Sequence, residues 1–449
     1  MLLKPPPIHR LPPELLSEIF HWYLTDSTFY NVAVVRDGPW LLSHICRQWR
    51  EIAISLNSLW SSFFIASPLP SIKDPEALLQ TVLKRSEGSP LSFGMWLERD
   101  ISLLEMPMKG IITELAAHST AWKDVKFGMS SYNHFNEVVG LFSDLTVQPS
   151  LLETLHINIS SLDAHEPDQH PITIFADAPM LRSVSIRPFF PMCLPWSQMT
   201  YLCTTDLSLE QLLHICRVAV HLETFLMECV HIDPQGDTPI PVTNNAIKTL
   251  QTWDFEFLPY LTLPSLTSLH IDESSEMDEV SLLGVNEAAV RGWDKVSRFV
   301  GRSGCRLKSL RITIDMASDD LLTMLRTAMT DVTDITFVNE TGSTSQSSLL
   351  LALQKDPHIL PKLERLYFSG SNSRDHCDLK EVLEFVQSRY GNGMGSLKSL
   401  HIDCERLFPE EDELLFGDED RRFYLDQLKV FIDDGLDLVI DLDEELIEI

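Results

Sequence analysis

Two His-x-Asp triplets are the first candidates for chemistry: His270-Ile271-Asp272 and His401-Ile402-Asp403. An imidazole held by a carboxylate can act as a general base, but it needs a serine or cysteine to activate, and the triplet itself holds neither. Each triplet sits in a stretch of strand character, where residues two apart share a face, so repeat geometry accounts for both. The glycine-rich run GNGMG starting at Gly391 could cradle phosphate only at a strand-to-helix turn. It follows a helix-forming stretch and precedes a strand-forming one, and so reads as a helix stop. Eight cysteines (46, 193, 203, 216, 229, 305, 377 and 404) include no Cys-x-x-Cys pair, and His376 beside Cys377 lacks the second ligand pair that zinc requires. They read as buried, reduced thiols. Asn158-Ile159-Ser160 and Asn339-Glu340-Thr341 fit the glycosylation pattern, which carries no meaning in an intracellular chain. With no nucleophile, metal set or cofactor fingerprint, the sequence predicts a non-catalytic protein that uses no cofactor and no metal.

What positions these residues is a repeat. Leu-x-x-Leu-x-Leu, with loose apolar substitution, recurs at positions 122, 152, 181, 222, 250, 266, 307, 332, 363, 397 and 425, mostly 25 to 34 residues apart. The second and third apolar residues point to one side of a short strand, and the first anchors the approach to it. Helical text fills the intervals, as in LSLEQLLHICRVA, where Ser208 and Gln211 form a capping-box pattern. Strand then helix, repeated, predicts an α/β solenoid with parallel strands inside and helices outside. No unit can bury its own apolar face, so neighbours must stack. The residues between and after the apolar pair then line the inner curve: among them His156, Asn158, Arg187, Glu228, His270, Asp272, Arg311, Tyr367, His401 and Asp403. Lys126, Asp254, Glu256, Lys429 and Phe431 fall on the same line. So extended a mixed-charge surface suits a protein partner better than a small molecule.

The 449 residues carry a net charge of −30, which excludes a phosphate backbone or an anionic membrane surface as the natural partner. The opening MLLKPPPIHRLPPELL lacks the apolar run of a signal peptide, and no later window reaches the roughly 20 apolar residues of a membrane span. An intracellular chain, cytoplasmic or nuclear, is expected.

The chain start differs from the repeats. LPPELLSEIFHWYL predicts a helix with Pro13 and Glu14 in its first turn and a stripe of Leu15, Leu16, Ile19, Phe20 and Tyr23. GPWLLSHICRQWREIAISLNSLW predicts a second, its stripe formed by Leu42, Ile45, Cys46, Trp49, Ile52, Ala53 and Leu56. A unit of about 60 residues hides only some 60% of its unfolded surface, so helices this apolar must lend part of their faces to something else.

LPPELLSEIF, HICRQWREIA and SLW, in that order, resemble an F-box, the helical module that docks on the Skp1 subunit of cullin-based ubiquitin ligases; GPWLLSHICRQWREIAISLNSLWSSFFI is especially similar to the F-box-like proteins of mushroom-forming fungi. The resemblance implies a small all-α domain whose Skp1-facing residues are Leu11, Pro12, Leu15, Ile19, Ile45, Cys46, Trp49 and Trp60. The segment TDSTFYNVAVVRDG between the helices is longer than a minimal F-box has. With the repeats, the resemblance extends to leucine-rich-repeat F-box proteins. The expected division is an F-box over 1–66, a linker and N-terminal cap over 67–118, irregular repeats over 119–435 and an acidic cap or tail over 436–449. From position 410 onward, 16 acidic residues face three basic ones, so the end is either a charge-guarded edge strand or a loose tail. The resemblance implies an adaptor that joins Skp1, and through it a cullin ligase, to an unknown protein substrate. The rival is a non-degradative scaffold whose helical N-terminus only caps the solenoid.

Overall fold

The computed structural model describes residues 8, 11–25, 29–66, 74–97, 108–160, 171–233, 239–272, 285–313, 318–339, 345–370, 378–390, 397–404, 418–442 and 445–447. The chain divides into two units, Met1–Thr205 and Asp206–Ile449.

Among its described residues the first unit holds seven strands: β1 (Tyr30–Asn31), β2 (Ser62–Ala66), β3 (Leu91–Leu97), β4 (Trp122–Met129), β5 (Thr154–Ile159), β6 (Ser183–Arg187) and β7 (Tyr201–Thr204). Each pairs in parallel with the next in sequence order. Its helices are α1 (Pro13–Thr25), α2 (Gly38–Ile45), α3 (Arg47–Ser55), α4 (Pro75–Arg85), α5 (Met108–Ala117) and α6 (Tyr132–Asp144). The register builds two apolar columns. Phe63, Phe93, Val125, Leu155, Val184 and Leu202 form one, and Ile65, Met95, Phe127, Ile157 and Ile186 the other, all of them buried. Each such side chain contributes about 1.5–3 kcal/mol on leaving water, which is why the period of two overrides everything else in these strands. The helices close over the back of the columns, and α6 gives all of Tyr132, Phe135, Val138 and Phe142 to them.

Two expectations change here. The N-terminal segment is not all-α: β1, formed by the long insert, and β2 both belong to the sheet. The predicted 38–56 helix is broken at Cys46, whose backbone is extended (φ −155°) and whose Sγ accepts a hydrogen bond from Trp49 N at 3.5 Å, starting α3 afresh. Cys46 thus acts as a helix cap, and the single stripe becomes two.

The second unit has β8 (Leu207–Ser208), β9 (Thr224–Met227), β10 (Val230–His231), β11 (Val242–Thr243), β12 (Thr249–Thr252), β13 (Leu261–Thr262), β14 (Ser268–Ile271), β15 (Ser309–Thr313), β16 (Asp334–Asn339), β17 (Arg365–Gly370), β18 (Ser399–Cys404), β19 (Asp437–Leu442) and β20 (Glu445–Ile447). Strands β9, β12 and β14 to β19 form a parallel ladder in that order, and β20 closes it as an antiparallel partner of β19. The pairs β8/β10 and β11/β13 are small separate sheets. Its helices are α7 (Leu209–Val218), α8 (Val285–Ser303), α9 (Asp319–Thr327), α10 (Ser345–Lys355), α11 (Leu379–Arg389) and α12 (Asp418–Asp433). Ser208 and Gln211 form the expected capping box on α7.

Helix ends and neighbouring coils are tied together by polar side chains. Asn244, 4% exposed, donates from Nδ2 to the carbonyls of Cys216 and Ala219 at 3.0 and 3.1 Å. Arg302 reaches the carbonyls of Leu258 and Leu261, and Arg389 those of Leu353 and Ile359.

Two of the eleven repeats are corrected. The copy at 250 shifts back three residues: Leu250 pairs with Phe225 and Leu269, so the unit is Ile247, Leu250 and Thr252. Asp254 and Glu256 lie past the strand. The copy at 425 is helical, because Tyr424, Leu428 and Phe431 repeat at three to four residues and Leu428 is fully buried in α12. The strand after it is β19, so Lys429 and Phe431 leave the strand row. Two copies escaped notice: Met199, Leu202 and Thr204 around β7, and Trp60, Phe63 and Ile65 around β2.

Candidate docking face and the polar face of the sheets

Helix α1 is apolar on two sides. Leu16 and Phe20 are fully buried, and Phe20 meets the Trp49 ring at 4.9 Å between centroids, fixing α1 to α3. Leu15 (52% exposed), Ile19 (41%) and Trp22 (71%) follow one another at steps of four and three on another face, with Tyr23 beside them. His21 Nε2 and Ser58 Oγ, 2.8 Å apart, anchor the helix further. In α2, Trp40 and Leu42 turn inward while Leu41 and Ile45 remain exposed. Arg50 Nε donates to Ser43 O at 2.8 Å, holding α3 against α2.

The residues that the resemblance assigned to Skp1 therefore separate. Leu15, Ile19 and Ile45 are exposed apolar side chains, Pro12 is exposed, and Leu11, Cys46 and Trp49 are half-buried. Trp60 is corrected: it is fully buried, with its indole N–H donating to Ala53 O at 2.7 Å. Trp122 makes the same bond to Leu115 O, seven residues back, at 3.0 Å. Both tryptophans are the first apolar residue of a repeat, so Trp60 belongs to the sheet's core. Arg85 covers it, its guanidinium carbon 4.3 Å from the Trp60 ring and 5.0 Å from that of Trp40. Burial draws the Arg85 guanidinium below its usual range and pushes the Tyr30 phenol well up. Trp22 is the residue that the sequence reading missed; its distance of seven from Leu15, two helical turns, is the signal that finds it.

The face of each sheet opposite the apolar columns carries the remaining candidates. In the first unit Lys126, His156, Ser185 and Cys203 form one cross-strand row, and Gly128, Asn158 and Arg187 the next. His156 is held below its ordinary pKa by burial, with Asp124 opposing. Arg187 donates to Cys203 Sγ at 2.8 Å. In the second unit Gln251, His270, Arg311, Thr336, Tyr367 and His401 are in register along one row. Asp272 gathers Gln251 Nε2 at 2.8 Å and Thr313 Oγ1 at 3.1 Å, with Arg311 3.9 Å away. The two His-x-Asp triplets lie on different strands: His270 touches Ser268 Oγ at 3.1 Å, and His401 packs on Tyr367 at 4.5 Å. Burial lowers the His270 pKa. Asp403 is half-buried in β18, and Glu228 lies one residue past β9. Among the described residues, no group of three or more His, Cys, Asp or Glu is placed to hold a metal ion, and no helix is long and apolar enough to cross a membrane. His376, Cys377 and the glycine run from 391 lie outside the described residues.

Residues 8–66 match the family described as F-box-like, the segment that contains α1 to α3 with β1 and β2. No curated protein matches the chain. An F-box-like domain is the mark of adaptor subunits of Skp1–cullin–F-box ligases in general.

Proposed function

We propose that this chain is a substrate receptor of a Skp1–cullin–F-box ubiquitin ligase, with the exposed side of α1 to α3 seated on Skp1 and leucine-rich repeats holding a protein substrate. One observation carries the reading: of the eighteen large apolar side chains left exposed among the described residues, ten lie within residues 8–66, the segment that matches the F-box-like family. Catalysis then belongs to the transferase that the ligase brings, and this chain supplies proximity and orientation. The polar rows of the sheets, long and of mixed charge, support a protein as the substrate.

The docking test is the double variant Leu15→Ala/Trp22→Ala. Each anchor at an interface hot spot is worth more than about 2 kcal/mol, so co-purification with Skp1 should be lost while the melting temperature holds. Undiminished Skp1 binding refutes the docking face. The scaffold reading has one observation in its favour, since β1 and β2 do cap the sheet of the first unit. It leaves Leu15, Ile19 and Trp22 without a reason to be exposed, and absence of Skp1 from a purification of the unaltered chain would favour it.

A further inference from the structure

The last turns of α4, α8 and α11 each carry an arginine, and two of the three are satisfied by carbonyl oxygens. Arg302 donates to Leu258 O and Leu261 O at 2.6 and 2.7 Å, and Arg389 to Leu353 O and Ile359 O at 2.7 and 2.8 Å. Arg85 does not follow them. Its guanidinium lies on the Trp60 and Trp40 rings, and its buried Nη1 has no hydrogen-bond partner. Two more proton donors of the same cluster are in the same condition. The Trp40 indole N–H and the Tyr30 hydroxyl belong to side chains 6% and 2% exposed, and neither finds an acceptor. Trp60 and Trp122, by contrast, place their indole N–H on Ala53 O and Leu115 O. Tyr30 joins the cluster through α2: its ring lies so close to Gly38, two residues ahead of Trp40, that a Cβ there would come within 2.4 Å of it.

A donor buried without an acceptor forfeits the bond it made to water in the unfolded chain, so three of them around one cation call for something that accepts. Neither an indole N–H nor a guanidinium can accept. Burial holds Tyr30 as the phenol, which donates as well. The carboxylate that bears on Tyr30, that of Asp37, is turned to Gly38 N at 2.7 Å and makes no ion pair with Arg85. A water molecule among the three would accept from them, but at most the phenol oxygen could take one of its own two protons. A monatomic anion accepts from every direction, has no proton to place and offsets the guanidinium charge. All three donor atoms are closed off from solvent, which favours a small ion over a phosphate or a carboxylate.

We propose that Tyr30, Trp40 and Arg85 form a halide site, with chloride as its occupant, where the docking module meets the first coil. The proposal is independent of what the module docks on. Chloride bound there ties β1, α2 and α4 to one point, so the ion stabilises the folded chain in proportion to its concentration.

The test uses the full chain in sodium gluconate, whose anion is too large for the site, with chloride or bromide replacing gluconate at constant ionic strength. Either halide should raise the melting temperature along a saturating curve. The chlorine NMR line, broadened by the protein, should report the bound ion directly and sharpen as bromide displaces it. Tyr30→Phe, which removes one hydroxyl and nothing else, should weaken chloride about tenfold in both readouts. Arg85→Met keeps an unbranched stem on the rings and removes the charge, so the saturable response should vanish; should that variant fail to fold, Tyr30→Phe decides alone. Trp22→Ala, on the outer stripe of α1, should bind chloride as the parent does. The site is wrongly assigned if exchanging gluconate for chloride changes nothing, if the melting temperature climbs without saturating as in a general salt effect, or if Tyr30→Phe responds to chloride as the parent does.

Discussion

Helices α1 and α6 are each 13 residues long and comparably apolar, yet they dispose of their side chains in opposite ways. In α6, Tyr132, Phe135, Val138 and Phe142 all go to the sheet, and Leu145, just past its end, is the nearest exposed apolar residue. In α1, Leu16 and Phe20 satisfy the interior while Leu15, Ile19, Trp22 and Tyr23 face out. A helix that serves only its own fold needs one stripe; a second stripe, kept in water at a cost, is what the proposed docking on Skp1 accounts for.

The contrast can be broken most forcefully at Trp60. Its removal to alanine empties a site shared with Trp40 and Arg85 and should cost about 3–5 kcal/mol in denaturant unfolding, as a core residue does. A loss below about 1 kcal/mol would mean that the indole is not part of the sheet's interior. Trp22→Ala is the opposite case: Skp1 affinity should fall by more than about 2 kcal/mol, roughly thirtyfold, while unfolding stays within about 0.5 kcal/mol of the parent. A drop in stability comparable to that of Trp60→Ala would make the outer stripe an internal one. Between these, Asn244→Ala strands two carbonyls at the end of α7 and should cost about 1–3 kcal/mol with no change in Skp1 binding. The smallest effect is one of pH. His156 and His270 titrate below 6.5 in the folded chain because burial disfavours their charged forms, so the unfolded chain binds protons first as the pH falls. Stability should decline on acidification below about pH 6.5, and His156→Gln with His270→Gln should flatten that slope; an unchanged slope would place the acid sensitivity elsewhere.

Much of this was legible. The Leu-x-x-Leu-x-Leu spacing predicts β5, β6, β14, β15, β17 and β18 with their buried faces, because in a parallel sheet the period of two is enforced by neighbours on both sides. It fails where other residues take the leucine positions. Met199 and Thr204 hide one copy, and Thr252 shifts another by three residues, since a buried threonine reads as polar while its hydroxyl is satisfied locally, here by accepting from Asp254 N at 3.0 Å. LDQLKV matches the repeat and is helical, because six residues cannot separate the two periods when their neighbours supply Tyr424 and Phe431. In the docking module, the residue types were readable but their direction was not. Trp49 and Trp60 look alike in sequence; only the sheet, which claims Trp60 as the opening anchor of a coil, distinguishes them.

Trp60 also determines how the module is joined. One residue both ends the helical segment and begins the first coil, and Arg85 clamps it from the following helix. The seam is thus packed on both sides, by Ala53 O on the indole N–H and by the Arg85 guanidinium on the ring. The module therefore cannot be exchanged as a cassette at residue 66 without opening the sheet's edge, since β2 lies between β1 and β3 in that sheet.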